Sequence, residues 1–156
     1  MQAAGSASGD PVYVEDVFST FLYTGSNGVA SYVNNIDLSG EGGLVWIKSR
    51  GGAARDHRLF DTERGVHKYL SSEGTGAETT SSYSFTAFNN NGFTLGDDVN
   101  VNFLQTYASW SFRKQTGFFD VVTYTGTGSG QAIAHNLGCK PGMILKKKKS
   151  ASGYSW

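Results

Sequence analysis

With 156 residues and 13 basic side chains balanced by 13 acidic ones, the chain has no net field to draw it to nucleic acid or an anionic membrane. Charged residues are only 17% and prolines 2, against 21 glycines and 13% aromatics, the composition of sheets joined by tight turns rather than of helices. A single cysteine, Cys139, excludes an intramolecular disulfide framework and a thiolate metal cluster.

Met1 to Pro11 is small and polar and cannot bury enough surface to fold alone. Residues 1–17 are therefore expected to form a flexible arm, or one that orders against a neighbouring subunit. No positively charged segment followed by an apolar run marks a signal peptide, and no apolar stretch approaches the roughly 18 residues of a spanning helix. A soluble protein is expected.

From Val12 the texture changes. Phe18 to Tyr23 is a β-branched and aromatic run that ends in Thr24-Gly25-Ser26-Asn27-Gly28, a strand and its turn. Gly43 to Lys48 reads as a strand buried on both faces. Arg58–Asp61 and Lys68–Leu70 are short extended segments, and Ser71 to Ser82 is a surface loop. Tyr83, Phe85 and, one step out of phase, Phe88 lead into Asn89-Asn90-Asn91-Gly92, a hairpin signal. In Tyr107 to Phe112 the residues alternate, and Ala108, Trp110 and Phe112 are expected to point at the core. Phe118 to Tyr124 is another β-rich run. No window carries helical apolar spacing, and eight to ten short strands predict an all-β, antiparallel β-sandwich of jelly-roll or concanavalin-A-like type over residues 18–117.

The chain also repeats itself. Phe18-Ser-Thr-Phe-Leu-Tyr-Thr-Gly25 matches Phe119-Asp-Val-Val-Thr-Tyr-Thr-Gly126 at an offset of 101, and Asn35-Ile36 matches Asn136-Leu137 at the same offset. Gly43-Leu44-Val45 then matches Gly142-Met143-Ile144, and Lys48 matches Lys147, at an offset of 99. Residues 118–156 are thus expected to be the first third of a second repeat, with further polypeptide following. Lys146 to Lys149 falls on the end of the Gly43–Lys48 strand and reads as a solvated strand end rather than a polybasic patch.

Reactive groups do not converge in the sequence. His57, His67 and His135 neighbour no nucleophile elbow and no His-Glu-x-x-His helix. Asp56, Asp61, Glu63, Asp97 and Asp98 could serve a glycosidase, but nothing selects a pair, and Asp97-Asp98 reads as a turn. The oxygens of Asn89–Asn91 and Asp97–Asn100 lack a calcium-loop pattern, and Gly126 to Gly130 precedes no helix that could hold a phosphate. No catalytic, cofactor-binding or metal-binding residue and no cofactor is expected. Among the aromatics that could stack on sugars, Trp46 and Trp110 are expected in the core.

Several of these words are long enough to be specific. Asp16-Val-Phe-Ser-Thr-Phe-Leu-Tyr-Thr-Gly25, Asp37-Leu-Ser-Gly-Glu-Gly-Gly-Leu-Val-Trp-Ile-Lys-Ser-Arg50 and Leu59-Phe-Asp-Thr-Glu-Arg-Gly65 come first. Thr86-Ala-Phe-Asn89, Asn91-Gly-Phe-Thr-Leu-Gly96, Trp110-Ser-Phe-Arg-Lys114 and Gly117-Phe-Phe-Asp-Val-Val-Thr-Tyr-Thr-Gly126 follow. Together they resemble a recurring domain of tailed-bacteriophage proteins, especially those of marine and cyanobacterial phages. The resemblance implies a concanavalin-A-like sandwich in a virion structural protein, most readily a tail fibre contributing to host attachment. Capsid decoration, a head fibre and a carbohydrate-binding receptor module are the alternatives. It brings no catalytic residues, and at Lys146–Lys149 the chain departs from the mixed apolar and basic strand of its relatives. Tyr13, Val14, Val17 and Phe18 are the candidate virion-attachment residues. The expected partners are other virion proteins (a tail hub or adaptor, or the capsid), identical copies forming a trimer, and a host-surface glycan.

Overall fold

A computed structural model describes residues 11–156. Most of the expected arm, residues 1–10, lies outside the described residues. The remainder makes one helical turn, α1 (Val14–Val17), in which the Asp16 carboxylate accepts the Tyr13 N–H at 2.8 Å. The turn feeds directly into β1 (Phe18–Thr24).

Eight further strands follow: β2 (Ala30–Val33), β3 (Gly43–Ser49), β4 (Arg58–Asp61), β5 (Lys68–Tyr69), β6 (Thr79–Thr80), β7 (Phe85–Asn89), β8 (Gly92–Leu95) and β9 (Thr106–Arg113). They form a four-stranded sheet in the order β1-β9-β3-β4 and a three-stranded sheet in the order β2-β8-β7, every pairing antiparallel. The two-stranded ribbon β5-β6 joins the edge of β4, where Leu59 and Leu70 exchange backbone hydrogen bonds of 2.9 and 3.1 Å. The fold is an all-β antiparallel sandwich.

The two larger sheets bury their facing sides. Tyr23, Val45, Ile47, Phe60 and Tyr107 come from one sheet and Phe85, Phe93 and Leu95 from the other, with Ile36, Leu38 and Val101 sealing the ends. Burial of each such side chain contributes about 1.5–3 kcal/mol, so this cluster supplies most of what opposes chain entropy. β7 and β8 form the expected hairpin, with Asn89 opposite Gly92. A Cβ on Gly92 would lie 2.0 Å from the Tyr32 carbonyl, so only glycine lets β2 approach there. A register shift between Phe85 and Ala87 explains the out-of-phase Phe88. The bulge returns its ring to the core side, 4.5 Å from Phe85.

Two expectations about facing are corrected. In β9 it is Tyr107, Ser109 and Ser111 that face inward and are fully buried, while Trp110 and Phe112 point outward, half-buried. The serines are small enough to admit the aromatic rings of the opposite sheet, and their hydroxyls are satisfied. Ser111 accepts from Asn34 Nδ2 at 2.8 Å, and Ser109 reaches the Phe21 carbonyl at 3.4 Å. Likewise β3 alternates strictly: Val45 and Ile47 are buried, and Leu44, Trp46 and Lys48 only partly so. It is covered on one face, not two.

Beyond the bridge between Gln115 and Phe119, residues 120–156 contain no strand. The runs at 118–124 and 142–147, whose counterparts form β1 and β3, do not pair. β1 and β3 are not neighbours: β9 lies between them and pairs with both, and β4 pairs with the other side of β3. Nothing in residues 114–156 repeats the β9 sequence, and the later segments with strand texture lie unpaired in this structure.

Candidate functional site

The outward side chains of the four-stranded sheet form a continuous aromatic band. Register sets the band: Phe18 lies opposite Phe112 and Phe112 opposite Leu44, while Thr20 lies opposite Trp110 and Trp110 opposite Trp46. The Phe18 and Phe112 rings are 4.9 Å apart, and the two indoles meet edge to face at 6.2 Å. Trp46 donates from its indole N–H to His57 Nδ1 at 2.8 Å, which fixes the imidazole with its proton on Nε2. Burial lowers the His57 pKa, and although Glu73 pulls the other way, Lys48 adds to the lowering, so the neutral ring that can accept from Trp46 is favoured. Glu73 in turn accepts the His57 backbone N–H at 2.7 Å, and Lys48 Nζ donates to the Arg55 carbonyl. On the inward side of the same sheet, opposite Ile47, the Arg58 guanidinium sits 3.8 Å over the Tyr69 ring. The band thus joins rigid half-exposed rings to fixed polar groups. Such an arrangement can bind, because its anchors lose little entropy on contact.

At one end the band is partly covered. Phe119 packs on Phe112 at 5.2 Å, so Phe18 and its repeat equivalent share one seat. Beside it Lys114 reaches Glu63 at 2.6 Å and Asp120 at 3.4 Å. Its hydrogen bond to Glu63 raises the lysine pKa despite some desolvation, and Asp120 adds to the effect. The last residues lie across the loop of residues 71–78: Glu78 N–H donates to the Lys149 carbonyl, Gly153 N–H to Thr75, and the Trp156 indole to Ser71, each at 2.9 Å. The four lysines are separately engaged. Lys146, Lys147 and Lys148 lie over the rings of Tyr124, Trp156 and Tyr154, and Lys149 is 3.8 Å from Glu78.

Of the candidate attachment residues, Val17 is buried and Phe18 is seated against Phe112, while Tyr13 and Val14 are exposed. The carboxylates considered for hydrolysis are dispersed. Asp61 pairs with the buried Arg64 at 2.5 Å, Glu63 with Lys114, and Asp98 accepts from Asn100 and Ser84. Among the described residues no three His, Cys, Asp or Glu side chains are grouped to hold a metal, and no helix is long and apolar enough to cross a membrane. A surface depression of about 410 Å³ is lined by Leu38, Thr62, Val66 and Phe88, without a titratable group.

Sequence reasoning passed over the aromatic band because it assigned both tryptophans to the core. The signal that could have found it is the serine pair: Ser109 and Ser111 alternate with Trp110 and Phe112, and small residues commonly face a crowded interior.

The family model of a domain of unknown function, DUF7483, matches residues 14–156. The chain belongs to that family. The DUF7483 match runs without a break across both the sandwich and the later segment, so the aromatic band and the Phe119 seat lie within one family unit. No curated protein and no solved structure matches the chain.

Proposed function

We propose that this DUF7483 protein is a structural protein of a bacteriophage virion, a tail-fibre module that contributes to host attachment and works by binding rather than catalysis. The observation that carries this reading is the aromatic band on the outside of the four-stranded sheet, in a chain whose words resemble those of phage fibres. Half-exposed indole and phenyl rings held in place by strand register supply contact area at low entropic cost, which suits a protein whose work is adhesion. Its partners on this reading are other virion proteins and identical copies, in a trimer, with a host-surface glycan at the exposed end. Mass spectrometry of purified particles tests the assignment; a particle preparation free of the polypeptide overturns it. A capsid decoration or head-fibre position would show as the same polypeptide remaining with tailless heads.

A second reading, a carbohydrate-binding receptor module, is favoured by one detail. Beside the indole pair stands His57, whose Nε2 proton is held in a fixed direction by the bond from Trp46. Ring faces for sugar C–H groups and a nearby donor for a hydroxyl are the elements of such a site. Glycan-array binding that disappears in W46A and W110A supports it, and binding unchanged by both substitutions removes it.

A further inference from the structure

Strand register grades the band from rings to charges. Along the outward side of β3 come Leu44, Trp46 and Lys48, and Arg50 extends the ladder by donating its backbone N–H to the Thr106 carbonyl at 2.8 Å. Facing them on β9 stand Phe112, Trp110, Ala108 and Thr106, and beyond these on β1 Phe18, Thr20, Leu22 and Thr24. Rings crowd one end of the face. At the other, only the small Ala108 and Thr106 lie between the two cations and an exposed leucine and threonine, so no ring stands between the indoles and the charges.

Those cations lack counterions. Arg64, Lys114 and Lys149 all pair with carboxylates, but among the described residues no carboxylate lies within 4.0 Å of Lys48 Nζ or the Arg50 guanidinium. Lys48 donates to the Arg55 carbonyl, which satisfies only part of its donor capacity, and Arg50 is exposed. The nearby Glu73 carboxylate instead accepts the His57 N–H at 2.7 Å and the Ser72 hydroxyl at 3.5 Å. Residues 48–58 hold four cations against one acid, Asp56, in a chain of zero net charge. A local excess of one sign beside rigid ring faces attracts an anion that also has an apolar face.

We propose that this end of the band takes an acidic saccharide, a pyranose bearing a carboxylate or a sulfate, with its C–H face on the Trp46 and Trp110 pair and its anionic group toward Lys48 and Arg50. The inference rests on the carbohydrate-binding reading and adds to it the charge of the ligand. Hydrogen bonds from an ammonium or a guanidinium to an anion are stronger than those from neutral donors, so the acid is selected over its neutral counterpart.

The test titrates the full chain calorimetrically with matched probes: trigalacturonic acid and its methyl ester, and dextran sulfate and dextran. Within each pair the rings are the same and only the charge differs. The acidic member of at least one pair is expected to bind about tenfold or more tighter than its neutral partner, an advantage that shrinks as salt is raised. Which pair shows it separates a carboxylate from a sulfate. In R50Q, and in K48Q combined with R50Q, the advantage should fall to about twofold or less. R50Q alters an exposed side chain and leaves the fold intact. Equal binding of acidic and neutral members overturns the inference while the carbohydrate reading stands. A preference for the acid that survives both variants overturns it too, because the charge is then met elsewhere. So does tighter binding of oligothymidylate, a polyanion with stacking rings, than of either acidic saccharide. Silence from all four saccharides also overturns it, and the glycan array then decides the carbohydrate reading separately.

Discussion

Strand β3 and residues 142–148 are two versions of one pattern with opposite fates. Gly43-Leu44-Val45 lies at the centre of a four-stranded sheet, hydrogen-bonded to β9 on one side and β4 on the other. Gly142-Met143-Ile144 lies open on the surface with no strand on either side. Composition does not separate them. Partners do: a strand is a property of a pair, and an isolated extended segment does not offset the entropy of ordering itself.

The sharpest way to break the comparison is to place the same charge in both versions. V45D buries an unpaired carboxylate where no water reaches, and a loss of about 4 kcal/mol or more in urea denaturation is expected. I144D should change stability by no more than about 0.5 kcal/mol, because the side chain is already in solvent. Next in size is F93A, which empties a fully buried ring site between Tyr23 and Phe85 and should cost about 3–5 kcal/mol. F118A, at an exposed ring of the later segment, should cost under about 0.5 kcal/mol in the same experiment.

Polar burial offers a finer probe. Asn102 donates to the Gly28 and Gly96 carbonyls at 2.6 and 2.7 Å and accepts from the Ser26 backbone and the Tyr32 hydroxyl at 3.0 and 2.5 Å. N102A strands several of these groups, and a loss of about 1–3 kcal/mol in thermal unfolding is expected. Smaller again is the tie between the two regions. K114A removes the pairs with Glu63 and Asp120 and should cost less than about 1 kcal/mol, a difference that fades as salt is raised.

The smallest effect is set by pH. Folding lowers the His57 pKa below the ordinary 6.5, so the folded protein holds the neutral ring and the unfolded chain takes up the proton first. The contribution is complete above pH 6.5 and is lost as pH falls through that value toward the lower folded one. A stability-against-pH curve should therefore droop in that window for the natural protein. H57F should flatten it; an unchanged droop would assign the effect elsewhere.

Much of the sandwich was legible because its signals are local. The runs at Phe18–Tyr23 and Gly43–Lys48 and the Asn-Gly hairpin each state their conformation within a few residues, and all three became strands in the expected places. What failed was non-local. Whether Trp110 or Ser111 faces inward depends on how much volume Phe85 and Phe93 need from across the core, of which the serine pair in β9 is only an indirect local sign. Residues 118–124 and 142–147 misled for a related reason, since strand texture does not by itself supply a pairing partner. The candidate face was hidden by that inversion.

The pairing of β1 with β9 has one more consequence. The first and last strands of the sandwich lie side by side, Phe18 opposite Phe112, so the polypeptide arrives and departs at points only about 5 Å apart, as across any antiparallel pair. Such a unit hangs from a longer polypeptide like a pendant from a cord. It can be spliced in, duplicated or removed while the sequences flanking it keep nearly the same separation, and this makes it readily tolerated as a modular insertion.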